Sequence, residues 1–376
     1  MDVRTILKKF LRKIKKDRLD QLVTIKLSKK NLLNNLEVFK KVRLENKVVP
    51  VLKSNAYGHG LIEIASALRD KVEFFVIDSF FEATKIRASG IKTPLLILGY
   101  VRPETMRKSH LKNVSFTITS LDTLFSINFP VKIHLKIDTG MNRQGILPSE
   151  IESAFKYIKE NSFINLEGIC SHLADSDNVD STFSKKQIDL WNKIVEKTKT
   201  DFPHLKYFHL SNTYGHKYSD SIQANVSRLG IGLYGLPNFH DLNLRPVMEV
   251  FTIITSVKKI KLGDYVGYNN TFQAKEDMQI ATIPFGYYEG LDRSLSNKGF
   301  LKVKNTFCPI IGRISMNITT IDVSKVKDIK VGDEVNVISK IPSDKNSIES
   351  MTKLSERIPY ELAVKIPEHL KRVWED

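Results

Sequence analysis

The chain has 376 residues, 41% of them apolar and 27% charged, with a formal net charge of +16, the balance of a globular protein with a large core. No window approaches the roughly 18 uninterrupted apolar residues of a membrane span, and the two cysteines, Cys170 and Cys308, stand far apart without metal-ligand spacing, which argues against a disulfide framework or a zinc site. The positive charge is spread along the chain with no aromatic-basic motif beside it, so a nucleic-acid partner is not expected.

The first element is MDVRTILKKFLRKIKKDR, within residues 1–21, where Val3, Leu7, Phe10 and Ile14 recur at helical spacing against Lys8, Lys9, Arg12, Lys13, Lys15 and Lys16. The basic residues interrupt the apolar core that a secretory signal needs, so a cytoplasmic protein is expected. The apolar stripe is narrow. It is expected to dock on the protein's own body or a partner subunit, with contact to an anionic membrane surface as the alternative.

VTIKL then reads as a leading strand and LSKKNLLNNLEVFKKV as a helix. Eight short apolar runs follow: 48–53, 74–78, 94–98, 115–119, 132–138, 166–173, 206–211 and 227–232. Between them fall helical patterns such as LIEIASALRD, SEIESAFKYIKE and STFSKKQIDLWNKIVEKTK, in which Ile188, Trp191 and Val195 share a face. Eight strands alternating with helices predict a parallel (β/α)8 barrel of the TIM type over residues 22–245. Beyond about residue 245 strands alternate with Gly-Asp turns, which predicts a mostly antiparallel β domain over 246–376, with one helix in SIESMTKLSERI.

In such barrels the chemistry lies at the carboxyl ends of the strands. The first strand ends on Lys53, within VVPVLKSNAYGHG. The fifth presents Lys136, Asp138 and, in TGMNRQG, Arg143; the sixth closes on Ser171 and His172; the seventh on His209, Ser211, Asn212 and Thr213; the eighth carries Arg228, Gly230 and Ile231. A lysine beside an apolar core can become an amine nucleophile. The usual phosphate site, after strands seven and eight, here offers Asn212, Thr213, Gly230 and Ile231. A nucleophilic lysine, a phosphate cradle and an arginine at one mouth point to pyridoxal 5'-phosphate held as an aldimine on Lys53.

The blocks VLKSNAYGHG, HLKIDTGMNRQGI, ICSHLADSD, HLSNT, VSRLGIGLYG, GYYEG, GRISMN and IPYEL resemble, in order from about residue 22 to 366, the signature blocks of alanine racemases. The resemblance implies a cell-wall precursor enzyme interconverting L- and D-alanine. Lys53 would be the acid/base for one face of the substrate's Cα. Tyr287, in GYYEG, would serve the other face from a partner subunit, so that active sites are shared in a homodimer. Tyr57, Thr213, Gly230, Ile231 and Tyr360 would hold the phosphate. Arg228 would face the pyridine nitrogen with His209 behind it, and His172 would lie at the cofactor beside Tyr287. Arg143, steadied by Lys136, which is carbamylated in many relatives, would orient the substrate carboxylate or the cofactor's phenolic oxygen, and Met316, from the other subunit, would help close the pocket.

Those roles are chemically consistent. Moving a proton off one face of Cα and onto the other calls for two flanking bases. A phenol serves as a base only where cations such as Arg228 or Arg143 stabilise its anion. An arginine cannot protonate the pyridine, which favours return of the proton to Cα over transamination. Three departures from the resembled pattern stand out: Asn317 where many relatives have aspartate, Glu289 in place of the aspartate of GY-x-D-G, and Thr213 in place of serine. Asn317 removes a charge near the pocket and leaves a racemase for serine or a larger amino acid as an alternative. A decarboxylase of the same barrel class fits the blocks less well, and a non-catalytic carrier of pyridoxal phosphate would not need Tyr287 or the second domain.

Overall fold

The computed structural model describes residues 21–178, 180–237 and 242–375, which divide into a unit spanning 29–245 and a second unit combining the residues up to 28 with those from 246 onward. The basic segment MDVRTILKKFLRKIKKDR falls outside the described residues.

In the first unit the strands are apolar on both faces. Phe75–Ile77, Leu95–Ile97 and Val114–Ile118 bury every side chain, as strands must when barrel interior lies on one side and helices on the other. Parallel pairing runs from Phe75–Ile77 through Leu95–Ile97, Val114–Ile118, Val131–Lys136 and Ile164–Cys170 to Tyr207–His209. Lys47–Pro50 pairs in parallel with Val226–Leu229. The two arcs meet where Val51 bridges Val76 and the Leu52 N–H donates to the Val76 carbonyl at 2.7 Å. At the other seam the Arg228 N–H donates to the Ser211 carbonyl at 3.1 Å. Eight parallel strands therefore close, as the eight apolar runs predict.

The helices carry the expected stripes. Thr182–Asp201 buries Gln187, Ile188, Trp191, Ile194, Val195 and Thr198 at i, i+3, i+4 and i+7 spacing, and the Trp191 indole N–H donates to the Gln223 carbonyl at 2.9 Å. After the seventh and eighth strands, 3₁₀ turns at Tyr214–Ser221 and Ile231–Tyr234 stand in place of α-helices. These short turns keep the last two strand ends close to the rim.

The second unit holds a six-stranded sheet in the order Thr306–Pro309, Phe300–Val303, Glu334–Ile338, Met248–Ile253, Thr24–Leu27, Lys371–Trp374. Three further strands, Ser256–Ile260, Met278–Ile283 and Thr319–Asp322, pair antiparallel. The leading strand thus departs from expectation: Thr24–Leu27 pairs antiparallel with Met248–Phe251 and parallel with Lys371–Trp374, not with the barrel. Its alternation is the reason. Ile25 and Leu27 are fully buried, whereas Lys26 lies 3.8 Å over the Phe251 ring and 3.5 Å from Glu334. A strand apolar on one face only suits a half-wet antiparallel sheet, not a barrel wall. The strand Lys371–Trp374 and the short helix Pro359–Val364 are additions to the sequence reading.

Candidate active site

Lys53 opens a left-handed turn. Ser54, Asn55, Ala56 and Tyr57 all have φ between +52° and +55°, followed by Gly58 at +81°. Each non-glycine residue in that region costs about 1–2 kcal/mol, so the turn persists only because its surroundings fix it. The Glu82 carboxylate does much of this: Oε1 accepts from the Ser54 N–H at 2.7 Å, and Oε2 from the N–H groups of Asp78 and Ser79 at 2.8 and 3.2 Å. The Asn55 side-chain oxygen accepts from the Leu61 N–H at 2.9 Å, and the Gly58 and Gly60 N–H groups return to the carbonyls of Ser54 and Asn55. The amine is thereby aimed by a rigid backbone.

Tyr57 closes the same turn and stands against the cradle after strands seven and eight. A Cβ at residue 230 would lie 2.9 Å from the Tyr57 hydroxyl and 3.5 Å from Thr213 Oγ1, so only glycine leaves that space open. Thr213 Oγ1 accepts from the Gly230 N–H at 3.0 Å, and Ile231 opens the 3₁₀ turn, so that its own N–H is not consumed within it. Burial, with Asp78 behind it, pushes the Tyr57 phenol upward, keeping it a protonated donor. Hydroxyls and backbone N–H groups around a space without a side chain suit a phosphate monoester. Asn212 is turned to local use, its Oδ1 accepting from Ser176 Oγ at 3.0 Å and the Gly215 N–H at 2.9 Å.

Arg228 is buried without an ion-pair partner among the described residues. Its Nη1 donates to His209 Nδ1 and to the His209 carbonyl, both at 2.8 Å; its Nη2 donates to the carbonyls of Ser171 and Leu210 at 2.8 and 2.9 Å and to His172 Nδ1 at 3.1 Å. Arginine only donates. Both imidazoles therefore present a bare Nδ1, so His209 carries its proton on Nε2 and donates to His134 Nδ1 at 2.8 Å. Burial first, then Arg228, holds His209 and His172 well below the ordinary histidine range, and Arg143, Lys136 and Lys53 add to the effect on His172. Burial likewise lowers His134 to about 4 and brings the half-buried Lys136 below its usual value, with Arg143 and Arg228 contributing. Asp138 shapes the loop before Arg143, its carboxylate accepting from the N–H groups of Gly140, Asn142 and Arg143; the Arg143 side chain is exposed.

The barrel thus brings together Lys53, Tyr57, Lys136, Arg143, His172, His209, Asn212, Thr213, Arg228, Gly230 and Ile231. Tyr287, Met316 and Tyr360 belong to the second unit. There Tyr287 and Met316 sit on two apposed turns: the N–H groups of Tyr287 and Tyr288 donate to the carbonyls of Ser315 and Met316 at 3.1 and 2.9 Å. A Cβ at Gly286 would lie 2.3 Å from the Ser315 carbonyl oxygen, so the apposition requires glycine. Tyr360 lies on the helix Pro359–Val364. The sequence reading passed over Glu82 and His134. The capping-box spacing of Ser79 and Glu82 in SFFE signals the first, and His134, two residues before Lys136, shares its strand face.

Comparison with known proteins bears on this arrangement. The family model for the alanine racemase N-terminal domain matches residues 27–238 and that for the C-terminal domain residues 247–374. The alanine racemase of Borreliella burgdorferi is 35% identical over 373 residues, covering 94% of this chain and 97% of its own. That of Fusobacterium nucleatum is 36% identical over 326 residues, covering 84% and 90%. A solved alanine racemase structure from Clostridium difficile superposes with a TM-score of 0.86 at 29% identity, covering 95% of this chain and 96% of that one. On that identity and coverage the chain belongs to the alanine racemase family of pyridoxal-phosphate-dependent isomerases.

Proposed function

We propose that this family member interconverts L- and D-alanine with Lys53 and Tyr287 as the two proton-carrying groups, in a homodimer whose partner chain supplies Tyr287 to each barrel mouth. The observation that carries the reading is the double duty of Tyr57, which ends the turn that Lys53 begins and also walls the cradle at Gly230. The amine and the phosphate-binding groups are thereby held at a fixed spacing, which suits a cofactor with an aldehyde at one end and a phosphate at the other. Bound pyridoxal phosphate supplies the electron sink that makes the substrate's Cα–H acidic.

The residues do the rest. Tyr57, the Thr213 hydroxyl and the Ile231 N–H, around the space that Gly230 leaves open, would hold the phosphate, joined by Tyr360. Arg228, fixed by its five hydrogen bonds, would present a charge that cannot be given up as a proton. The Lys53 amine would take or return a proton at Cα on one face, and the Tyr287 phenol on the other. Arg143 would orient the substrate carboxylate, with Lys136 behind it. Support for a shared site comes from the exposure of the turns bearing Tyr287 and Met316: Tyr287, Tyr288, Met316 and Ile318 are 43%, 56%, 55% and 51% exposed. A cluster of large apolar side chains left in water suits a surface covered by a second copy.

Chiral analysis after incubating the purified protein with L-alanine, L-serine and L-lysine, alongside an absorbance scan for lysine-bound cofactor, tests the reading. Alanine is expected to turn over fastest; faster turnover of serine or lysine would overturn the alanine assignment. Cytoplasmic residence belongs to the same proposal, with cell fractionation as its test.

A further inference from the structure

The Glu289 carboxylate is only 8% exposed, and no lysine or arginine ion-pairs with it among the described residues. Its oxygens are satisfied instead by two neutral donors. Oε2 accepts from the Gly286 N–H at 2.8 Å, and Oε1 accepts from Asn317 Nδ2 at 2.7 Å. A buried carboxylate without a counter-ion is tolerated only while such bonds hold it. Among the described residues the Asn317 amide is therefore the one side-chain donor that keeps Glu289 in place.

Those bonds join the two turns already described. Gly286 and Glu289 bracket Tyr287 and Tyr288, and Met316 directly precedes Asn317. Two neighbouring backbone bonds, Tyr287 N–H to the Ser315 carbonyl and Tyr288 N–H to the Met316 carbonyl, join the turns along one edge. The Glu289–Asn317 bond adds a link between them made by side chains. The Thr319 hydroxyl, donating to the Phe285 carbonyl at 2.6 Å, anchors the base of the pair. We propose that Glu289 and Asn317 are paired positioning residues that fix the Tyr287 phenol and the Met316 side chain relative to each other. The inference rests on Tyr287 acting as a base.

The pair has a distinctive polarity, and polarity can be exchanged. Asn317→Asp would set two carboxylates face to face with no donor between them, a like-charge contact that drives the turns apart. Adding Glu289→Gln reverses the roles: the new carbonyl can accept from the Gly286 N–H while the new amide donates to the aspartate. Both bonds are kept with donor and acceptor exchanged.

The test compares the full-length holoenzyme with N317D, with E289Q/N317D and with Y287F, at a temperature well below each unfolding midpoint. N317D is expected to lose kcat on the order of tenfold to a hundredfold, the effect of a misplacement near 1 Å, with the KM for alanine changed less than about threefold. E289Q/N317D is expected to recover to within about threefold of the parent. Hydrogen–deuterium exchange gives a readout independent of turnover: the amides of Tyr287 and Tyr288 should exchange faster in N317D and return to parental rates in the double variant. A parental kcat in N317D, or a double variant no better than N317D in both kcat and exchange, overturns the proposal. Y287F separates the two ideas. Parental turnover in Y287F would remove the base itself, while exchange at positions 287 and 288 would still decide whether the pair couples the turns.

Discussion

Glu82 is the group on which the direction of Lys53 depends most. Its substitution by glutamine keeps the volume but leaves one oxygen for three N–H donors that now use two. Whichever way the amide turns, a donor faces a donor, at Ser54 or at the Asp78–Ser79 pair. Losing a hydrogen bond to a charged acceptor costs about 1.5–3 kcal/mol, and an unsatisfied buried N–H adds to it, so Glu82→Gln should destabilise the fold by about 2–4 kcal/mol. The four residues at φ near +55° sharpen the effect, because each lies about 1–2 kcal/mol above a right-handed alternative and the Ser54 N–H is where the turn is tied down. Urea unfolding measures the first part, as a lower midpoint with an unchanged slope. Titration with pyridoxal phosphate, followed by the absorbance of the lysine-bound cofactor, measures the second, with an expected loss of tenfold for each ~1.4 kcal/mol specific to the turn. Ser79→Ala is the control: it removes the capping hydroxyl, costs about 1 kcal/mol, and leaves the contact to Ser54 intact, so cofactor affinity should not move. Equal cofactor affinity in Glu82→Gln and Ser79→Ala would refute the reasoning, because Glu82 would then be only a helix cap.

Gly230→Ala should place a methyl 2.9 Å from the Tyr57 hydroxyl and weaken cofactor binding by about 1–3 kcal/mol, the usual cost of overpacking; unchanged affinity in an equilibrium titration would count against the cradle. Lys53→Ala and Tyr287→Phe should each be inactive alone, yet mixing equal amounts through reversible dissociation should restore about a quarter of parental activity, because half the dimers would then hold one complete site. No restoration in demonstrably mixed dimers would place both groups on one chain. His134, held by burial at about 4 against an ordinary value of 6.5, is neutral in the fold and takes up a proton on unfolding. Its contribution is therefore present above pH 6.5 and is lost as pH falls toward 4, by about 3 kcal/mol at 1.36 kcal/mol per unit. Urea midpoints of the parent and His134→Gln across that range should converge as the pH falls; parallel curves would exclude the linkage.

Much of this was legible in the chain because the physics involved is periodic. Runs such as FFVID and PLLIL, apolar without alternation and too short for core helices, read as strands covered on both faces, and eight strand runs, most of them ending on polar residues, outline a barrel with one reactive rim. TIKL reads as part of the barrel region despite its alternation, because its partners at Met248–Phe251 and Lys371–Trp374 lie more than 200 residues away and no local rule reaches that far. The left-handed turn was hidden for a different reason. Ser54, Asn55, Ala56 and Tyr57 have no local preference for positive φ as a group; the conformation is imposed by Glu82 from the helix Phe80–Ala88. Asn317 and Glu289 read as separate departures, and only the fold brings them within a hydrogen bond of each other.

Arg228 shows why the rim is built from neutral acceptors. Burying a guanidinium costs several kcal/mol unless it is well bonded, and a nearby carboxylate would be the obvious partner. Here three carbonyls and two imidazole nitrogens take that place, each charge-assisted bond contributing about 1.5–3 kcal/mol. Together they can hold the cation without cancelling it. The same arrangement locks His209 and His172 into the tautomers with a bare Nδ1, so neither can become cationic without breaking its bond to Arg228. None of Lys53, Lys136, Arg143 and Arg228 forms an ion pair among the described residues, and all four lower the proton affinity of His172. Such a mouth is one charge type looking for the other. A phosphate ester and an amino-acid carboxylate supply it, which links the choice of neutral partners around one arginine to the chemistry the rim can accept.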